Sequence, residues 1–413
     1  MRTEQLRTAM VSGLIASGRI RTRGVERAFR AVPRHLFLPE LPSEQAYQDE
    51  AVATKWVDGV AVSSASQPSM MAIMLEQLEL RPGHRVLEIG AGTGYNAALM
   101  SEVVGPAGSV VAVDIDEDLV QSAGEHLAAA GVPGVTLATR DGALGYPERA
   151  PYDRIVLTVG SWDIQPAWWR QLAPGGRLLL PLSVRGSQLS VALDLMPGPP
   201  PYLRGISVRS CAFVRLRGQG AGPESSRPLD TDGLAVQTGD QRELDTAGLR
   251  ALLRSPGDER VSSVKLAAVD LWDGLGLWLA VREPNVCRLL VSAAASDRSP
   301  SLLPVGMDGG TVALLGERGL AVVVPCGHAS AELDRRFPVA VRPYGPDGAG
   351  LADRLGGLLG AWAAAGRPSA AELRMRAYPS DTTPPPGAGS VLRKAHSQLV
   401  LDWPDNRVAP GLS

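Results

Sequence analysis

At 413 residues the chain exceeds what one ordinary hydrophobic core organises, and it reads as two domains. A hydrophobic share of 45% with 20% charged residues excludes a disordered chain, and no apolar run is long enough for a helix to span a bilayer. With 41 Lys and Arg against 43 Asp and Glu, the net charge of −2 gives no general attraction to nucleic acid or anionic lipid, so neither is an expected partner. Cys211, Cys287 and Cys326 are odd in number and far apart, which speaks against disulfides and zinc clusters alike. His84, His126, His328 and His396 show no metal-ligand spacing, so no metal site is expected.

The chain opens on a helix. Leu6, Met10, Leu14 and Ile15 recur at helical spacing, while Glu4, Gln5 and Arg7 interrupt what could otherwise pass for a signal peptide. The expected setting is therefore cytoplasmic. Short apolar runs at 85–89, 109–115, 135–139, 153–159 and 177–182 then alternate with helix-compatible stretches at 95–104, 117–130 and 165–172, the signature of a parallel sheet with crossover helices. Runs at 188–195 and 208–216, with the Pro/Gly turn 197–201 between them and no room for a helix, predict an antiparallel hairpin at its edge. Crowded Gly, Pro and Ser make 218–230 the expected linker. Beyond it the rhythm changes to α+β. Strands are expected at 269–281, 311–315, 320–325, 339–342, 372–378 and 398–403, with a helix over 349–364 and a surface loop over 381–390.

The run Val86-Leu87-Glu88-Ile89-Gly90-Ala91-Gly92-Thr93-Gly94-Tyr95 is a strand, a glycine turn and a helix start, which brings a ligand beside a helix N-terminus. Gly92, Gly94 and Ala97, with Asp114 about 20 residues on, also satisfy a relaxed dinucleotide pattern, so the turn alone leaves a nicotinamide cofactor open. Three acids favour S-adenosylmethionine. Glu88 suits the cationic methionine end, Asp114 can accept both ribose hydroxyls, and Asp141, followed by Gly142, can accept from the adenine amino group. The bland alternative is that each acid caps the next helix.

With those residues in place, roughly residues 3–218 resemble the protein-L-isoaspartate O-methyltransferase family. The resemblance rests on Val32-Pro33-Arg34-His35-Leu36-Phe37, Ala46-Tyr47-Gln48-Asp49-Glu50, Ser64-Ala65-Ser66-Gln67-Pro68, the glycine turn, Gln171-Leu172-Ala173-Pro174-Gly175-Gly176-Arg177-Leu178 and Phe213-Val214-Arg215-Leu216. It implies a Rossmann-like, class I methyltransferase sheet in the α/β class, doubly wound, over 1–218, a linker over 219–230, and a smaller α+β domain over 231–413 that could hold peptide substrate. It also implies methyl transfer from S-adenosylmethionine to an aspartyl or isoaspartyl carboxylate, followed by succinimide closure. Carried over by position, the active-site hydroxyls are Ser66 and Ser64; the same serines could instead cap the helix that Pro68 begins.

Two departures stand out. Residues 51–65 replace the family's shorter glycine-containing approach to the serine, and simple repair enzymes lack the second domain. Both features resemble the branch of the family that matures ribosomal peptides such as lanthipeptides, lasso peptides and graspetides; a general repair enzyme is the alternative. Lys55 and Asp58 of the altered stretch could touch substrate or be exposed loop charges. His35 reads as structural, and one of Trp168 and Trp169 is expected to pack inward.

Overall fold

The computed structural model describes residues 2–223, 226–229, 233–239, 242–291, 310–326, 335–385 and 389–404. Helices α1 (Arg2–Ala16) and α2 (Arg23–Ala31) bury Met10, Val11, Leu14, Val25, Ala28 and Phe29. Arg34–Phe37 then forms a 3-10 turn and Ser43–Ala46 the short α3. Strands β1 (Val52–Val57) and β2 (Val60–Ala65) make a separate hairpin where the sequence reading had only an altered loop. Its turn is Asp58-Gly59, with φ of 49° and 77°, and Asp-Gly between β-branched residues is the signal that was there to be read.

Helix α4 (Pro68–Leu78) leads into the main sheet: β3 (Arg85–Ile89), α5 (Tyr95–Val104), β4 (Ser109–Asp114), α6 (Glu117–Ala129), β5 (Val135–Thr139), β6 (Tyr152–Leu157), α7 (Pro166–Gln171), β7 (Leu172–Val184), β8 (Ser187–Met196) and β9 (Tyr202–Ser210). The order β5-β4-β3-β6-β7 is parallel throughout, and β7-β8-β9 is antiparallel. Because side chains alternate along a strand, Val86, Val110, Ala112 and Val156 face α2, α4 and α5, whereas Leu87, Ile89, Val111, Val113, Ile155 and Leu157 enter a second core on the other face. The strand order reverses at β3, so the crevice at its carboxyl end is where ligands bind in such sheets.

The second half supplies β10 (Ser226–Pro228), β11 (Leu234–Thr238), α8 (Thr246–Leu252), β12 (Arg260–Leu266), α9 (Leu275–Arg282), β13 (Val286–Val291), β14 (Thr311–Leu315), β15 (Leu320–Pro325), β16 (Phe337–Tyr344) and α10 (Gly348–Ala364). Its strands form one antiparallel sheet, β10-β11-β13-β14-β15-β16-β12. Three expectations change here. The run 269–281 is not a strand: it folds as a 3-10 turn, Ala268–Leu271, followed by α9, whose residues Leu275 to Val281 are all buried. A short apolar run suits either a buried strand or a buried helix, and periodicity cannot separate them. The expected linker contains a short strand, β10, paired with β11, although 224–225 and 230 lie outside the described residues.

The third change is topological. Strands β17 (Arg374–Pro379), β18 (Ser390–Arg393) and β19 (Ser397–Asp402) return to the first sheet in the order β9-β17-β19-β18, with Arg376 opposite Arg204 and Ala377 opposite Leu203. Strand β9 is therefore interior, and residues the sequence reading grouped within 231–413 complete the sheet of the first half. One core joins Leu178, Leu180 and Val191 to Leu277, Leu355, Trp362, Leu399 and Trp403. Buried Arg288 of β13 bridges the halves, donating to the Leu271 carbonyl at 3.0 Å and the Ser187 hydroxyl at 2.7 Å; burial lowers its pKa to about 10. Among the described residues no helix is long and apolar enough to cross a membrane, and no group of three or more His, Cys, Asp or Glu could hold a metal.

Candidate active site

After Glu88-Ile89 the chain turns through Gly90, Ala91, Gly92 and Thr93 into α5. A Cβ on Gly90, where φ is 101°, would lie 2.8 Å from the Thr158 hydroxyl, so this position needs glycine for both backbone and space. The Gly90 and Ala91 amides donate to the Val113 carbonyl at 2.8 and 3.1 Å, and the Gly92 amide to Asp114 Oδ2 at 3.0 Å. These bonds pin the turn over the end of β4. Gly94 starts α5 at a φ of 85°, with Ala123 of α6 packed 3.2 Å from where a Cβ would stand.

Between this turn, β2 and residues 214–217 lies an open cleft. Glu88, Gly90, Gly92, Asp114, Gly142, Ser64 and Ser66 all line it, whereas Gly94 and Asp141 do not. Glu88 is fully buried. Its Oε1 accepts from Asn96 Nδ2 at 2.7 Å, while Oε2 has no partner among the described residues. Burial pushes this carboxyl up to about 8, opposed by the Asn96 hydrogen bond and reinforced by the nearby Asp114. An unpartnered buried carboxylate oxygen in a cleft wall is the group that a cationic ligand would satisfy. Asp114 is raised by burial as well, and beyond its bond to Gly92 it keeps acceptor capacity for ribose hydroxyls. The residues present therefore fit S-adenosylmethionine, a ligand that carries both a cationic end and ribose hydroxyls.

Asp141 behaves partly as the bland reading expected. It caps the turn Gly142–Leu144, its Oδ1 accepting from the Ala143 amide at 2.9 Å and its Oδ2 from the Gln219 amide at 2.7 Å. Gly142 itself reaches the cleft, held by buried Trp168, whose indole N–H donates to the Gly142 carbonyl at 2.9 Å. The serines do not cap α4. Gln67 is its N-cap residue and Asp49 Oδ1 accepts from the Ser69 amide at 2.7 Å, which leaves the Ser64 and Ser66 hydroxyls without a hydrogen bond among the described residues. Neighbouring Ser63 is buried and accepts from the Thr54 hydroxyl at 3.0 Å.

Several contributors escaped the sequence reading. Buried Arg34 donates to the Ser66 carbonyl at 3.0 Å and the Ala46 carbonyl at 2.9 Å, and stacks 5.0 Å over Tyr95, so it ties the serine segment to α5. It lies in the Val-Pro-Arg motif but carried no sign of that job. At the rim, Asp116 pairs with Lys55 of β1 at 2.9 Å and with Arg217 at 2.6 Å, joining both walls of the cleft beside Asp114; the Arg217 hydrogen bond is what chiefly lowers its pKa. Lys55 is thus a structural clasp, also bonded to Asp118 at 2.7 Å. Asp116→Ala should loosen both walls, raising the dissociation constant for S-adenosylmethionine several-fold in low salt and less in high salt, as read by calorimetry. His35 shares a 2.9 Å hydrogen bond with the Tyr47 hydroxyl, in keeping with a structural role.

A doubly wound sheet with an acid-lined glycine turn at its reversal point, and hydroxyls facing it, defines a class I S-adenosylmethionine-dependent methyltransferase. Residues 4–219 match the family described as protein-L-isoaspartate(D-aspartate) O-methyltransferase. The chain is similar to the protein-L-isoaspartate O-methyltransferase of Ignicoccus hospitalis, 39% identical over 43% of this chain and 82% of that one. It is likewise similar to that of Hyperthermus butylicus, 38% identical over 52% and 90%. A solved protein-L-isoaspartate O-methyltransferase aligns over 90% of this chain and 96% of its own, at 24% identity and a TM-score of 0.49. The chain belongs to the protein-L-isoaspartate O-methyltransferase family and is a carboxyl methyltransferase.

Proposed function

We propose that the protein methylates isoaspartyl carboxylates in peptides and proteins, the general repair reaction of its family. The observation that carries this is the pair of unengaged hydroxyls, Ser64 and Ser66, in the same cleft as Glu88 and Asp114. A carboxylate titrates near pH 4, so the acceptor arrives ionised and needs no general base, which matches a cleft lined by hydroxyls and backbone. The bound cofactor supplies an activated methyl group on a positively charged sulfur. The chain's residues do the positioning: Glu88, braced by Asn96, would hold the amino-acid end, Asp114 the ribose hydroxyls and Gly142 the adenine, with Asp141 shaping the turn that carries Gly142. Ser66 and Ser64 donate to the acceptor carboxylate and fix its angle, and orientation of this kind is worth several kcal/mol. The ester then closes when the next amide nitrogen attacks its carbonyl, forming a succinimide and releasing methanol.

Incubation with methyl-labelled cofactor and a short isoaspartyl peptide should yield base-labile, volatile label. Ser66→Ala should lower kcat/KM at least tenfold while cofactor affinity stays within about twofold. Cofactor binding without transfer to any isoaspartyl peptide would rule the reading out.

A second reading, maturation of a ribosomal peptide through an aspartimide, draws support from the β1–β2 hairpin at the acceptor side and from the large C-terminal region, which on this reading holds the rest of a long substrate. Turnover of an aspartate-containing precursor peptide, with poor turnover of short isoaspartyl peptides, would favour it.

A further inference from the structure

Among the described residues nine large apolar side chains are exposed, and three of them, grouped around one turn, stand beside the cleft. Trp56 is 61% exposed, Val57 46% and Val60 65%, and all three crown the β1–β2 hairpin. Val57 and Val60 are directly opposed in the ladder, and Trp56 is opposite Ala61. The base of the same hairpin is the acceptor wall of the cleft: Val62, Ser63, Ser64, Ala65 and then Ser66 line it. Val57 and Val60 share one face of the tip and Trp56, paired with Ala61, stands on the other, so the tip next to the acceptor wall is apolar on both faces.

The tip is not a loose flap. Lys55, the residue before Trp56, is pinned to α6 by Asp116 and Asp118, and Thr54 is bonded to Ser63 across the strands. A tryptophan held out in water on a braced hairpin, next to a reactive cleft, is a docking surface in want of an apolar partner. Its distance sets the partner. Ala61, opposite Trp56, lies three residues from Ser64 along β2, roughly 10 Å at strand rise, and an extended peptide covers that span in about three residues.

We propose that the hairpin tip binds an apolar side chain of the substrate peptide, about three residues from the acceptor carboxylate, and so selects isoaspartyl sites in apolar sequence. This rests on the isoaspartyl reading above and adds to it a substrate class. Anchoring remote from the reacting group lowers KM chiefly, because that contact is the same in ground and transition states.

The test uses the full chain and isoaspartyl peptides carrying Leu or Ser at two to four residues on either flank. Both methyl transfer and binding of labelled peptide by fluorescence anisotropy are followed. Expected are a KM and a dissociation constant at least tenfold lower for the best Leu peptide than for its Ser counterpart. Trp56→Ala should erase that difference between peptides, and Trp56→Phe should keep it. Equal handling of Leu and Ser peptides by the unaltered protein, or a preference that survives Trp56→Ala, overturns the proposal while leaving the isoaspartyl reading intact. A Trp56-dependent binding preference without methyl transfer does the reverse. Sedimentation showing a dimer that Trp56→Ala dissolves would assign the tip to a second copy of the chain and also overturn it.

Discussion

Glu88→Gln should weaken S-adenosylmethionine binding thirty- to a thousandfold and, at the same time, make the cofactor-free protein more stable at neutral and alkaline pH. Both effects come from one buried carboxyl with an unpartnered oxygen. Gln keeps an acceptor for the 2.7 Å bond from Asn96 but cannot carry the charge that answers a cationic ligand, and losing one partner of a buried charge pair costs about 2 to 4 kcal/mol. Burial raises the folded-state pKa from 4.5 to about 8. A raised value means that folding favours the protonated form, so its stability contribution is complete below about pH 4.5, falls as pH rises, and is gone above about 8. The melting-temperature gap between Glu88→Gln and the unaltered chain should therefore open between those values and stay level beyond them. The underlying difference in folding free energy should be on the order of a few kcal/mol. Cofactor binding draws the ionised form, so affinity of the unaltered protein should climb toward pH 8 with release of a proton, and that of Glu88→Gln should stay flat. Calorimetry in buffers of different ionisation enthalpy reads the proton directly. Equal affinities, or a gap that does not change with pH, would remove Glu88 from the cofactor site.

Much of this was legible in the sequence because it is locally encoded. Alternating strands, the glycine turn and the acids at strand ends repeat at short spacings, and Glu88, Asp114 and Ser66 do line one cleft. What stayed hidden depends on partners distant in sequence. Arg34 supports a carbonyl 32 residues on, Arg217 meets Asp116 101 residues back, and no periodicity announces either. Asp141 was read correctly as sitting at a strand end, but its carboxylate is already engaged by the Ala143 and Gln219 amides. The return of β17–β19 to the first sheet is the largest omission. Those strands have ordinary strand composition, and their place in the order is decided by which edge is open and apolar rather than by their own residues.

That topology carries the other large prediction: a chain ending at Ala365, which retains every residue of the family match, should fail to form a stable cofactor site. Removing the rest uncovers one edge of β9 and strips Ala370, Leu373, Met375, Ala377, Leu399, Leu401 and Trp403 from the shared core. At about 1 to 3 kcal/mol for each large side chain, the loss reaches the whole net stability of a typical domain, about 5 to 15 kcal/mol. The unpaired edge would also invite aggregation. The damage lands near the chemistry. Buried Asp163 loses the Ser397 hydroxyl at 2.6 Å and the His396 amide at 2.7 Å, and the carbonyls of Trp162 and Ser183 lose the Lys394 ammonium. Three residues before Asp163, Gly160 pairs with Val214 and Leu216 at 2.7 and 2.8 Å, and those residues form a wall of the cleft. The truncated chain should be insoluble or lack a cooperative melt, with cofactor affinity reduced at least a hundredfold in any soluble fraction. A soluble fragment that melts cooperatively and binds S-adenosylmethionine as the whole chain does would mean that the first half closes its own sheet and that β17–β19 are an addition to it rather than a part.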